Sequence, residues 1–141
     1  MSMTVHVDIV SAEKAIFSGS AEMVYAPAEM GEVGIAPRHA PMLTRMKPGE
    51  VRVQQANGEE LDFFISGGLL EVQPHVVTVL ADTAVRAADL DETAAIQAKE
   101  RAEAAMQDKS AQMDYAKAQA ELIEAAAQLQ AIQRIRKRTG A

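Results

Sequence analysis

Apolar and polar residues alternate along the first part of the chain and recur at helical spacing along the last. Within residues 4–10, Val5, Val7 and Ile9 occupy every second position with His6 and Asp8 between them, a period of two that predicts a half-buried strand. Residues 15–18 and 22–26 read as two more short strands, parted by a turn at Ser18-Gly19-Ser20. Residues 42–45 predict another, closed off by Lys47-Pro48-Gly49. Val51 and Val53, then Asn57-Gly58, then Leu61, Phe63 and Ile65 predict a hairpin in which Asn-Gly supplies the two positive φ angles of a type I′ turn. Gly67-Gly68 breaks the pattern, residues 69–72 resume it, Pro74-His75 turns the chain, and residues 76–81 are rich in β-branched side chains. Many short strands with frequent turns predict an all-β sandwich or flattened barrel over residues 1–86.

Beyond Arg86 glycine and proline vanish until Gly140, and alanine becomes the commonest residue. Asp89 followed three residues later by Glu92 reads as a capping box opening a helix over residues 90–106. Asp108-Lys109-Ser110 predicts a break, and residues 113–137 a second helix. Leu90, Ala94, Ala98, Ala102 and Met106 form a stripe on the first helix. Tyr115, Ala118, Leu122, Ala125, Leu129 and Ile132 form one on the second, at alternating steps of three and four. Facing each other, the stripes make residues 87–141 an antiparallel α-helical hairpin. Its seam is mostly alanine, and each methyl buries little beside the roughly 1.5–3 kcal/mol of a full Leu or Ile, so the hairpin is expected to hold loosely and to open.

Between the predicted strands lies a stretch over residues 29–43 that is neither regular helix nor central strand, because two glycines loosen it and Pro37 and Pro41 remove amide donors. It reads as an ordered surface connection. Val33, Ile35, Met42 and Leu43 pack inward, and Glu29, Glu32, Arg38 and His39 are presented outward, in the manner of a binding loop.

Charge narrows the function. A formal net charge of −6 on 141 residues argues against a nucleic-acid partner, which requires a basic surface to displace counterions. No run approaches the ~20 apolar residues of a membrane-spanning helix, so direct membrane insertion is not expected. Cysteine is absent, and His6, His39 and His75 lie on separate segments without ligand spacing, so neither a metal site nor a cofactor is predicted. No carboxylate pair, phosphate loop or nucleophile elbow stands out, which leaves catalysis by the chain alone unsupported. The basic run Arg134, Arg136, Lys137 and Arg138 suits a helix C-terminus and, beyond that, an acidic protein partner.

Several motifs occur in one order across both halves: Ser11-Ala12-Glu13, Phe17-Ser18-Gly19, Gly31-Glu32-Val33-Gly34-Ile35, His39-Ala40-Pro41, Ser66-Gly67-Gly68, Glu71-Val72-Gln73-Pro74, Val79 to Ala84, and Asp89-Leu90-Asp91-Glu92. In these the chain resembles the epsilon subunit of bacterial F-type ATP synthase over essentially its whole length. The resemblance implies a β-sandwich followed by a helical hairpin, in a noncatalytic rotor subunit that couples proton flow to ATP synthesis. It implies a peripheral place at the cytoplasmic face of the inner membrane.

As the resemblance implies them, the partners are the gamma subunit and the ring of c subunits and, through the C-terminal helices, the catalytic alpha and beta subunits. Glu29 and Glu32 then face the c-ring, Arg38, His39 and Met42 face gamma, and the terminal cations Arg134, Arg136, Lys137 and Arg138 belong to a hairpin that inhibits hydrolysis. Some members bind ATP through a motif with arginine where this chain has Ala94, so no ATP binding is expected. The competing reading is a free-standing adaptor that offers its hairpin to partner helices outside any synthase.

Overall fold

A computed structural model describes residues 3–107 and 115–139. Ten strands are followed by a short 3₁₀ turn and two helices, and the chain divides into a unit over Met1–Ala87 and a unit over Ala88–Ala141. The expected fold class, an all-β sandwich followed by a helical hairpin, is the one observed.

The strands are β1 (Val5–Ser11), β2 (Ala15–Ala21), β3 (Met23–Ala28), β4 (Gly31–Ile35), β5 (Met42–Met46), β6 (Gly49–Gln54), β7 (Glu60–Ile65), β8 (Gly68–Val72), β9 (Val76–Ala81) and β10 (Ala84–Arg86). They run in the order β10-β7-β6-β3-β5-β8-β9-β1-β2, with β4 added to β3. Among the described residues only the pairing of β1 with β9 is parallel. The sheet folds over at β3, where one edge pairs with β4 while the other pairs first with β6 (Tyr25 opposite Arg52) and then with β5 (Ala28 opposite Met46). The alternation read from the sequence fills the space between the layers: Val5, Val7, Ile9, Val51, Val53, Phe63, Ile65, Leu70, Val72, Val77 and Val79 are all buried in one cluster.

Several local expectations give way to tertiary pairing. Ser18-Gly19-Ser20 is no turn, because these residues lie inside β2 opposite Asp8, Val7 and His6, and the ladder satisfies their backbone. The first half of the stretch over residues 29–43 is also a strand, β4, whose donors pair with β3, and both prolines fall outside it. At Asn57-Gly58 only Gly58 has positive φ (87°). Gly58 N–H donates to Gln55 O and Gln55 N–H to Glu59 O, the three-residue loop with a left-handed closing glycine rather than a type I′ turn.

The helices are α1 (Glu92–Gln107) and α2 (Tyr115–Thr139). The cap of α1 is Asp91, whose carboxylate accepts from Ala94 N–H at 3.2 Å, and not Asp89, which the 3₁₀ turn Ala87–Asp89 consumes. With alanine rather than glutamate three residues after the cap, there is no capping box. The α1 stripe shifts as well: Ala95 and Ala102 are buried and Ala94 is exposed. Steps of four drift by about 40° each around a helix of 3.6 residues per turn, so the buried face keeps to mixed steps of three and four. On α2 the expected face holds, with Ala118, Ala125 and Ile132 buried and Leu122 and Leu129 half-buried. The break expected at Asp108-Lys109-Ser110, the expected start of α2 at Met113, and the seam place given to the Tyr115 side chain lie outside the described residues.

Candidate docking surface

Ala28 stands opposite Gly31, and Pro27 opposite Glu32, which leaves Glu29-Met30 as the two-residue tip of the β3–β4 hairpin. Glu29 N–H donates to Arg45 O at 2.9 Å, tying the tip to β5. Both expected acidic residues are thus brought to one end of one hairpin, exposed. Between them Met30 is 97% exposed, a large apolar side chain in water that sequence reasoning passed over. Glu32 is held: Arg52 Nη2 donates to its Oε1 at 2.8 Å, while Arg52 Nη1 lies 3.8 Å from Glu60 Oε1 and the guanidinium sits 4.4 Å from the centroid of the Tyr25 ring.

Residues 36–41 carry the second group. His39 N–H donates to Ala36 O at 3.2 Å, closing a turn with Pro37 and Arg38 at its centre. Proline cannot take positive φ, so the bend falls on Arg38, at φ 63°, as in a type II turn. A bulky residue there costs of order 1 kcal/mol. The Arg38 amide donates to Pro74 O at 2.9 Å, which fixes the strained residue and leaves its side chain exposed. His39 is half-buried, with Nδ1–H donating to Ala40 O at 2.8 Å. Met42 packs against the core, as its place in the sequence predicts. The inward packing expected of Leu43 fails, because strand alternation turns it out of the sandwich at 68% exposure. Leu69 and Leu80, opposite each other on β8 and β9, continue this exposed apolar surface. The outward phase of these leucines is set by register, which no local signal reveals.

On the same outer face Asp8 accepts from Ser18 Oγ at 2.7 Å and lies 3.0 Å from His6 Nε2. The Ser18 hydroxyl holds the Asp8 carboxyl below the usual aspartate range against a smaller opposing effect of burial, with His6 helping. Ser18 and Asp8 meet the same imidazole nitrogen, so the acid does not anchor the opposite nitrogen as a relay requires, and the trio is a surface network across β1 and β2.

The terminal cations belong to the other unit. Arg136 makes a forked pair with Glu92, with Nη1 donating to Oε1 at 3.1 Å, so the end of α2 is tied to the first turn of α1. Arg134 and Lys137 are exposed, and the Arg138 side chain lies outside the described residues. Ala94 offers only a methyl to solvent. Nearby on the hairpin an open groove of about 360 Å³ is lined by Arg101, Glu121, Glu124 and Gln128 above Ala98 and Ala125. Two carboxylates beside one guanidinium leave no net positive charge for a phosphate. No helix among the described residues is long and apolar enough to cross a membrane.

Residues 4–87 match the family model described as ATP synthase, Delta/Epsilon chain, beta-sandwich domain, and residues 88–133 match the one described as ATP synthase, Delta/Epsilon chain, long alpha-helix domain. The ATP synthase epsilon chain of Nitrosococcus oceani is 70% identical over 140 residues, spanning 99% of this chain and 100% of the relative. That of Thioalkalivibrio sulfidiphilus is 66% identical, spanning 99% of each. Among solved structures, a chain of the Euglena gracilis mitochondrial ATP synthase, in an OSCP/F1/c-ring assembly, superposes with a TM-score of 0.73 at 20% identity, covering 96% of this chain and 81% of that one. At that identity the likeness concerns the fold.

Proposed function

This chain belongs to the ATP synthase epsilon-chain family, and from that premise we propose that it is a noncatalytic component of the central stalk, carried peripherally at the cytoplasmic face of a bacterial inner membrane. The observation that carries the reading is the match to epsilon chains along essentially the full length of both. Residues 1–86 serve as the docking part and residues 87–141 as the regulatory part. The β3–β4 tip, with Glu29 and Glu32 around exposed Met30, meets the c-ring. The strained turn at Arg38 and His39, backed by Met42 and flanked by exposed Leu43, meets gamma. A rigid sheet suits this work, since torque passes through a surface that does not yield, and the chain's own part in coupling is mechanical.

The hairpin supplies a brake. Its seam is shallow and its ends are joined by an exposed Arg136–Glu92 pair, of a kind worth only ~0.2–1 kcal/mol. Opening it frees the cations on α2 for acidic surfaces of the catalytic alpha and beta subunits. Nucleotide is not part of the switch: calorimetric titration of the chain with ATP is expected to give no dissociation constant below about a millimolar, and a tighter one would overturn this. The docking reading is tested by co-expression. A tagged chain is expected to bring down gamma in stoichiometric amount, and recovery of the chain alone would favour the free-standing adaptor.

A further inference from the structure

We infer that Arg52 is the positioning residue of the β3–β4 hairpin: it fixes the Glu32 carboxylate in the pose that meets the partner. The inference rests on the docking reading above and names the device that makes the tip rigid.

Three side chains from three strands converge on this guanidinium: Tyr25 of β3, Glu32 of β4 and Glu60 of β7. Tyr25 stands directly opposite Arg52 across the β3–β6 ladder and opposite Gly34 across β3–β4. Gly34 lets the phenol ring lie over β4, since a Cβ there would come within 3.2 Å of Tyr25 Cε1. The ring in turn carries the guanidinium, whose two terminal nitrogens reach past it to Glu32 on β4 and back to Glu60 on β7. The Arg52 side chain is 24% exposed and that of Glu32 46% exposed, so the cation is shielded while the acid keeps a free side toward solvent. Among the described residues β4 pairs with no strand but β3. Arg52 therefore supplies a side-chain brace from the body of the sheet to this outer strand. Lysine replaces it only in part, because a point charge can meet one carboxylate but neither lies flat on Tyr25 nor spans two.

The test uses the full chain by itself and within the reconstituted complex. In the isolated chain, Arg52→Gln is expected to lower the backbone order parameters of residues 29–33 while the melting temperature stays near that of the parent. In proteoliposomes, Arg52→Gln and Glu32→Gln are each expected to reduce ATP-driven proton pumping per ATP hydrolysed, by up to about five-fold, the upper end for an ion pair at a protein surface. The double variant should be no worse than either single one. Arg52→Lys is expected to fold and to recover part of the loss. If Glu32→Gln uncouples and Arg52→Gln does not, the positioning role is wrong and the docking reading survives. If Glu32→Gln leaves coupling intact, the docking reading fails and takes this inference with it. Additive losses, or a Gln variant that unfolds beside a Lys variant that behaves as the parent, assign Arg52 a general structural role and overturn the inference.

Discussion

At Arg38 a single backbone angle separates what holds the fold from the docking role proposed for the side chain. The residue sits at φ 63°, which glycine adopts freely and arginine does not. Arg38→Gly relieves strain of order 1 kcal/mol but adds comparable freedom to the unfolded chain, so the two nearly cancel. Melting is therefore expected to change little, within about 1 kcal/mol, while affinity for gamma, measured by surface capture, falls. A variant that binds gamma as tightly as the parent would remove Arg38 from the docking group. The outward placement of Glu29, Glu32 and Arg38 was legible in the sequence, because charge and proline placement are local, whereas His39 is half-buried. Met30, Leu43 and Arg52 were not legible, because their importance comes from exposure and cross-strand reach.

Elements answer to different constraints. Strand β8 begins at Gly68, with φ 140°, where a Cβ would stand 2.1 Å from Leu80 O of β9. No side chain fits without moving that backbone. Gly68→Ala is expected to lose at least about 2 kcal/mol in denaturant unfolding of the sandwich, since it combines a disfavoured backbone angle with a clash against a ladder carbonyl. An unchanged midpoint would mean that the β8–β9 edge relaxes freely. The sequence marked this glycine only as an interruption between strands. The structure makes it part of one, where close approach of two backbones demands it. The same confusion of composition with conformation explains Ser18-Gly19-Ser20, turn-like residues that the β1 ladder holds extended.

Taken whole, the molecule joins a densely packed β unit to a helical unit whose buried positions are mostly alanine. Stability should be distributed accordingly, with local opening favoured where few large apolar groups are buried. Deleting everything after Ala88 is expected to leave the complex assembled and to raise its ATP hydrolysis severalfold, as measured in a coupled assay on purified complex, because the brake is gone and the docking unit remains. Unchanged hydrolysis would mean that the hairpin does not inhibit here.

The sequence by itself determined the fold class, the division of labour between an alternating half and an alanine-rich half, and most of the core, because periodicity of two or of about 3.6 is written in residue order. It also carried the family, through motifs distributed over both halves. Only the tertiary structure decided that β4 is a strand, that Asp91 and not Asp89 caps α1, that Leu43 faces water and that Arg52 braces Glu32. Each of these depends on a neighbour far away in sequence, and no local pattern contains the register that brings such neighbours together.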